Sequence, residues 1–212
     1  WPLIQSDTDY PRRLKQKLEK KAPPILFGFG NKKILNKGGI TIVGARDVNE
    51  EDLSLTKNLS IDASSQGYTI ISGGAKGVDE TAMTIALENE GMAIGVLANS
   101  LLQKSTVSKY RKFLMTDDLV LISPFNPDTG FSVGNAMARN RYIYCLGDIA
   151  IAIGSKVDKG GTWNGAVENL RAKWTPLWVA NTNDSDSGNT KLFEKGANWL
   201  PKPCIFKDLI NL

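Results

Sequence analysis

From Ile40 onward the hydrophobic residues come in short runs rather than in long helical stripes. ITIV (40–43), YTII (68–71), MAIGVLA (92–98), LVLIS (119–123), IAIAI (149–153) and PLWVA (176–180) are each bounded by glycine or polar clusters. Four of these runs are rich in Ile or Val, which predicts strands buried on both faces of a parallel sheet. Helix-like segments alternate with them. Residues 49–65 open on Asn49 with Asp52 three positions later, a capping-box-like start. Residues 78–90 place Val78, Ala82, Ile85 and Ala86 on one face and stop at Gly91. Residues 134–146 and 165–173 also read as helices, whereas 101–116 has no clear pattern.

This alternation predicts an α/β fold, a doubly wound and mostly parallel sheet of Rossmann-like type, over residues 38–182. Residues 1–37 form an N-terminal extension with a basic helix and a short strand after Pro23-Pro24. Residues 183–212 form a C-terminal loop and appendage. The polar stretch NTNDSDSGNT (181–190) is expected to be a flexible loop.

Composition narrows the chemistry. Hydrophobic residues make up 42% of the 212 and charged residues 23%, as in an ordinary globular protein. No apolar run reaches 18 residues, so no membrane helix is expected. The chain has no histidine, which excludes a Ser-His-Asp mechanism and a histidine-bound zinc. Cys145 and Cys204 lie far apart and show no metal-ligand spacing, so a reduced, cytoplasmic protein without metal or cofactor is expected. The net charge of +4 permits an anionic partner without requiring one. Six basic residues and one acid crowd into 11–21, which reads as a solvated helix face or as an extension of an anion path.

Glycine and polar clusters follow the predicted strands: GARD (44–47), SGGAKG (72–77), SPFNPDTGFSVGN (123–135) and GSKVDKGGTWNG (154–165). In a parallel sheet these loops share the rim where ligands bind. Gly73 and Gly74 allow backbone amides to approach an anion, Lys76 adds a charge, and a helix start follows. The spacing matches neither common phosphate-loop pattern, and a tight strand-to-helix turn explains it equally well. In NAMARNRYIY (135–144), Arg139 and Arg141 point to different sides, so one can face a ligand while the other holds a structural pair. Gly160, Gly161 and Thr162 repeat the glycine-and-helix-start arrangement. Trp163 is either a base-stacking surface or a half-buried aromatic.

In this order the motifs resemble the DprA/Smf family of DNA-processing proteins. YPRRLKQKLEKKAPPILFGFGN is similar to that family's Tyr-Pro, helix, Pro-Pro lead-in. IVGARD is similar to its Val-Gly-Ser-Arg turn, ISGGAKGVDETA to its Ser-Gly-Gly signature, and RNRYIYCLGD to its Arg-Asn-Arg helix. The resemblance implies a single-stranded-DNA-binding protein that forms homodimers and serves a RecA-type recombinase in DNA uptake and transformation. It implies phosphate contacts from Arg46, Ser72, Gly73, Gly74, Lys76, Arg139 and Asn140, with no catalytic residue. Met83 stands where the family usually has histidine, and KGGTWNGAVE replaces a Ser-Gly-Ser segment.

A second resemblance keeps an alternative open. The LOG proteins, which cleave nucleoside monophosphates at the glycosidic bond, share this fold and carry an arginine on the corresponding helix. Arg139 lies nine residues before Asp148 in the same way, and GGTWNGAVE is similar to their glycine-rich motif, with Glu168 two positions late. A nucleotide-sensing domain or a LOG-like hydrolase is therefore the rival expectation.

Overall fold

In a computed structural model of the chain, which describes residues 1–181, 184 and 187–211, the predicted strands form one sheet. The strands are β1 (Pro2–Ile4), β2 (Ile25–Gly30), β3 (Ile40–Gly44), β4 (Ile70–Ser72), β5 (Ala93–Val96), β6 (Leu119–Ser123), β7 (Ile149–Ile153), β8 (Leu177–Val179) and β9 (Asn198–Trp199). Their spatial order is β1-β2-β6-β5-β4-β3-β7-β8-β9. β3 to β9 run parallel, while β2 is added antiparallel at the β6 edge and β1 pairs antiparallel with β2. The fold is Rossmann-like, with helices on both faces.

The helices are α1 (Arg12–Leu18), α2 (Glu50–Ser65), α3 (Val78–Glu88), α4 (Leu101–Thr106), α5 (Ser108–Met115), α6 (Val133–Leu146), α7 (Gly160–Ala172), α8 (Gly188–Glu194) and α9 (Phe206–Ile210). Asn49 caps α2 by accepting from the Asp52 amide at 2.7 Å, as its spacing predicts. The unclear segment 101–116 is the pair α4 and α5. Helix α7 begins five residues before the expected 165, because the Gly160-Gly161 start weakens the helical signal. In the polar stretch 181–190, residues 182, 183, 185 and 186 lie outside the described residues, as does the expected boundary at 182–183. The stretch is helical again from Gly188.

Two cores flank the sheet. In β7, Ile149, Ile151 and Ile153 enter one and Ala150 and Ala152 the other, following the two-residue period of a strand. Trp163 and Ala166 of α7 occupy the side with the small alanines. Each buried isoleucine is worth about 1.5–3 kcal/mol over its exposed state. A one-residue slip would exchange the two faces, so register is strongly enforced.

The basic helix α1 lies at the amino ends of the strands. Arg13 pairs with Asp148, just before β7, and Asp148 also accepts from the Gly39 amide at 2.7 Å, just before β3. Lys17 donates to the Gly147 carbonyl at 3.0 Å and to the Thr175 hydroxyl at 2.8 Å. The other basic residues of 11–21 are solvent-exposed. Among the described residues no helix is long and apolar enough to cross a membrane.

Candidate functional site

The chain builds β3 to β6 outward on one side of β3, then returns to lay β7 on the other. The loops leaving β3 and β7 therefore diverge, and a crevice opens at the carboxyl rim between them. A cleft of about 600 Å³ occupies it. Arg46 and Asp47 border it after β3, Asp79 at the start of α3, and Arg139 and Asn140 on α6. Lys156, Lys159, Gly160, Gly161 and Thr162 border it at the entry to α7. Segments as far apart in sequence as Arg46 and Thr162 thus converge as the strand-rim argument predicts.

At the floor lies an internal charge pair. Asp79 accepts from the amides of Gly44 and Gly73, each at 3.2 Å. The Arg139 Nη1 atom is 4.0 Å from its carboxylate. Burial pushes the Asp79 carboxyl above its usual range, against the pull of Arg139 and of the backbone amides of Gly44, Gly73 and Ala75. Burial likewise pulls Arg139 down, with Asp79 opposing; a guanidinium nevertheless keeps its charge in a protein. Arg139 is 4% exposed, and its Nε and Nη1 have no hydrogen-bond partner. A desolvated cation with free donors favours an anion strongly.

The Ser-Gly-Gly turn serves this pair. The Gly73 amide is taken by the protein's own carboxylate rather than left for a ligand. Ser72 is fully buried and its hydroxyl donates to the Ile42 carbonyl at 2.6 Å. Gly74 is buried at φ +61, next to Leu97. Lys76 is exposed and lies outside the cleft lining. The turn is thus structural at its centre, because the buried Asp79 needs its donors more than an exposed phosphate does.

The two arginines separate as their helical spacing predicts. Arg139 faces the cleft, and Arg141 pairs with Glu168 on α7 at 3.1 Å. Asn140 donates from its amide to the Gly161 carbonyl at 3.1 Å, tying α6 to the start of α7. Gly160, Gly161 and Thr162 line the cleft. Trp163 does not: it is 4% exposed in the core, so the base-stacking role expected as one option has no accessible ring face.

The sequence alone missed four contributors. Phe131, 58% exposed, stands on the cleft rim with the Arg46 guanidinium 5.2 Å from its ring centroid, within cation–π range. Lys156 and Lys159 flank the α7 entry, and their pairing around GSKVDKGG was a legible signal. Tyr144 lines the cleft with a buried hydroxyl that has no partner. Nothing local distinguishes it from a core tyrosine. No cluster of His, Cys, Asp or Glu able to hold a metal occurs among the described residues.

The family model of DNA recombination-mediator protein A matches residues 1–210. The chain belongs to this family. It is 27% identical to the DNA processing protein DprA of Bacillus subtilis over 213 residues, covering 96% of this chain and 69% of that protein. The X-ray structure of DprA from Streptococcus pneumoniae superposes with a TM-score of 0.79 at 23% identity, over 94% of this chain and 70% of that one. DNA processing protein A from Helicobacter pylori, whose structure concerns its single-stranded DNA binding mode, superposes at 0.78 and 24% identity, over all of this chain and 94% of that one. The family carries a DNA-processing function, and the doubly wound fold is the one these relatives share.

Proposed function

We propose that the chain binds single-stranded DNA along the carboxyl rim, with phosphates engaging Arg46, Arg139, Lys156 and Lys159. The observation that carries this is Arg139, a buried guanidinium whose Nε and Nη1 have no hydrogen-bond partner on a cleft edged by three exposed cations. Single-strand binding by the Helicobacter pylori relative supports it. Phe131 beside Arg46 supplies a ring on which a base can stack. Homodimer formation and service to a RecA-type recombinase in transformation rest on the family resemblance and form part of the same proposal.

The test is a salt titration of a labelled oligonucleotide by anisotropy. Four phosphate contacts give a slope of about −3 in log K against log salt. A flat salt response would sink the proposal.

The rival is a free nucleotide, favoured by the cleft's size of about 600 Å³, which suits a small-molecule site of roughly 300–1,000 Å³. Its hydrolase version loses the carboxylate that the resemblance points to: Glu168 is engaged with Arg141 and is not among the cleft-lining residues. Adenosine monophosphate incubated with the protein is expected to remain intact, and release of adenine would reinstate that version.

A further inference from the structure

The cleft floor carries more unused hydrogen-bonding capacity than an internal phosphodiester needs. Arg139 presents Nε and Nη1 without hydrogen-bond partners, and Tyr144 presents a hydroxyl without one. Both side chains are almost wholly buried, at 4% and 1% exposure, and both line the same cleft. The 13-residue helix α7, whose Gly160, Gly161 and Thr162 line the same cleft, has Lys159 at its cap position and no side-chain cap, so its first amides are uncapped. Asp79 is the acid at the floor and is already held by two amides. Counting Asp47 on the rim, four cations and two acids line the cleft, a net charge of +2.

An internal phosphodiester carries a single charge and is tethered on both sides, so seating it on the floor would draw two nucleotides into the cleft with it. A terminal phosphate is tethered on one side only. As a monoester it carries about −1.5 to −2 at neutral pH and three acceptor oxygens. Donors at the floor and cations at the rim match that shape and charge. The exposed Arg46, Phe131, Lys156 and Lys159 then border the path by which the rest of a strand leaves.

We propose that the cleft floor, formed by Arg139, Tyr144 and the start of α7, is a phosphomonoester site that takes the terminal phosphate of a DNA strand. This inference rests on the single-strand reading above and assigns its deepest subsite to strand ends.

The test compares one oligonucleotide in three forms: 5′-phosphorylated, 3′-phosphorylated and unphosphorylated. Binding is read by competition against a labelled unphosphorylated strand at fixed salt. At least one end-phosphorylated form is expected to bind about ten-fold more tightly than the unphosphorylated form, with thymidine monophosphate competing weakly. Tyr144→Phe is expected to shrink that ratio several-fold, and because it removes an unpartnered hydroxyl it should fold, which a thermal melt checks. Equal binding of all three forms overturns the inference and leaves single-strand binding standing. A ratio that survives intact in Tyr144→Phe overturns the floor assignment. Thymidine monophosphate binding where no oligonucleotide binds overturns the inference together with the reading beneath it.

Discussion

Arg139 lies across Gly73 so closely that a methyl group on residue 73 would sit 1.5 Å from Nη1 and 2.5 Å from the Asp79 Oδ2 atom. The second residue of the Ser-Gly-Gly signature is therefore a glycine because a buried ion pair passes over it. Neither charged group can retreat, since both side chains are under 10% exposed. Gly73→Ala should cost about 1–3 kcal/mol, the usual cost of overpacking, and should weaken DNA binding by displacing Arg139. Urea unfolding and oligonucleotide titration of the same preparation check both effects.

Arg46→Ala should weaken single-strand binding by about 1–3 kcal/mol, as expected for a lost charge-assisted contact, with little effect on folding because the residue is exposed. Arg139 needs two variants. Arg139→Ala leaves the Asp79 carboxylate buried and unpaired, which should destabilise by about 3–5 kcal/mol. Arg139→Lys keeps the charge but loses the planar fork, so it should retain more stability than the alanine variant while binding DNA more weakly than the wild type. A lysine variant with unaltered affinity would remove Arg139 from the interface.

Tyr144 carries a buried hydroxyl with no partner, a defect that costs about 1–3 kcal/mol in an unliganded protein. Tyr144→Phe should therefore leave the unfolding free energy unchanged or raise it by up to about 1 kcal/mol. A loss of stability on thermal or urea unfolding would mean that the hydroxyl has a structural partner after all.

Stability should fall on the alkaline side. Burial pushes the Cys145 thiol up to about 12 and the Cys204 thiol up to about 11, from an ordinary value of 9.0. The folded protein then holds protons that the unfolded chain has released. The stabilisation is complete below pH 9 and is lost as pH rises through the folded values. Lys17, whose ammonium is pulled down by burial, works in the opposite direction. Urea midpoints from pH 8 to 11 should decline, and less steeply in a Cys145→Ala, Cys204→Ala double variant.

Much of this architecture was legible in local pattern. The six apolar runs from Ile40 onward are strands, Asn49 caps its helix, and the rim loops were marked by their glycines. Arg139 and Arg141 could be separated by helical spacing alone. The short strand after Pro23-Pro24 is β2, as expected, whereas β1 escaped notice because it has only three residues. Phe131 and Tyr144 escaped because an aromatic in a loop or on a helix carries no mark of the neighbours it will meet.

Most of the elements, and the rim on which a ligand can sit, follow from local sequence, since strand burial, helix capping and glycine turns depend on near neighbours in the chain. What each motif does on that rim was set by long-range packing. It gave the Gly73 amide to Asp79, turned Trp163 into the core, and sent Arg13 and Lys17 to the amino ends of the strands. Those outcomes depend on which strands become neighbours: residues 73 and 139 meet because β7 returns to the far side of β3. Contacts across such a return are set by the packing of both sheet faces together, which no short stretch of sequence encodes.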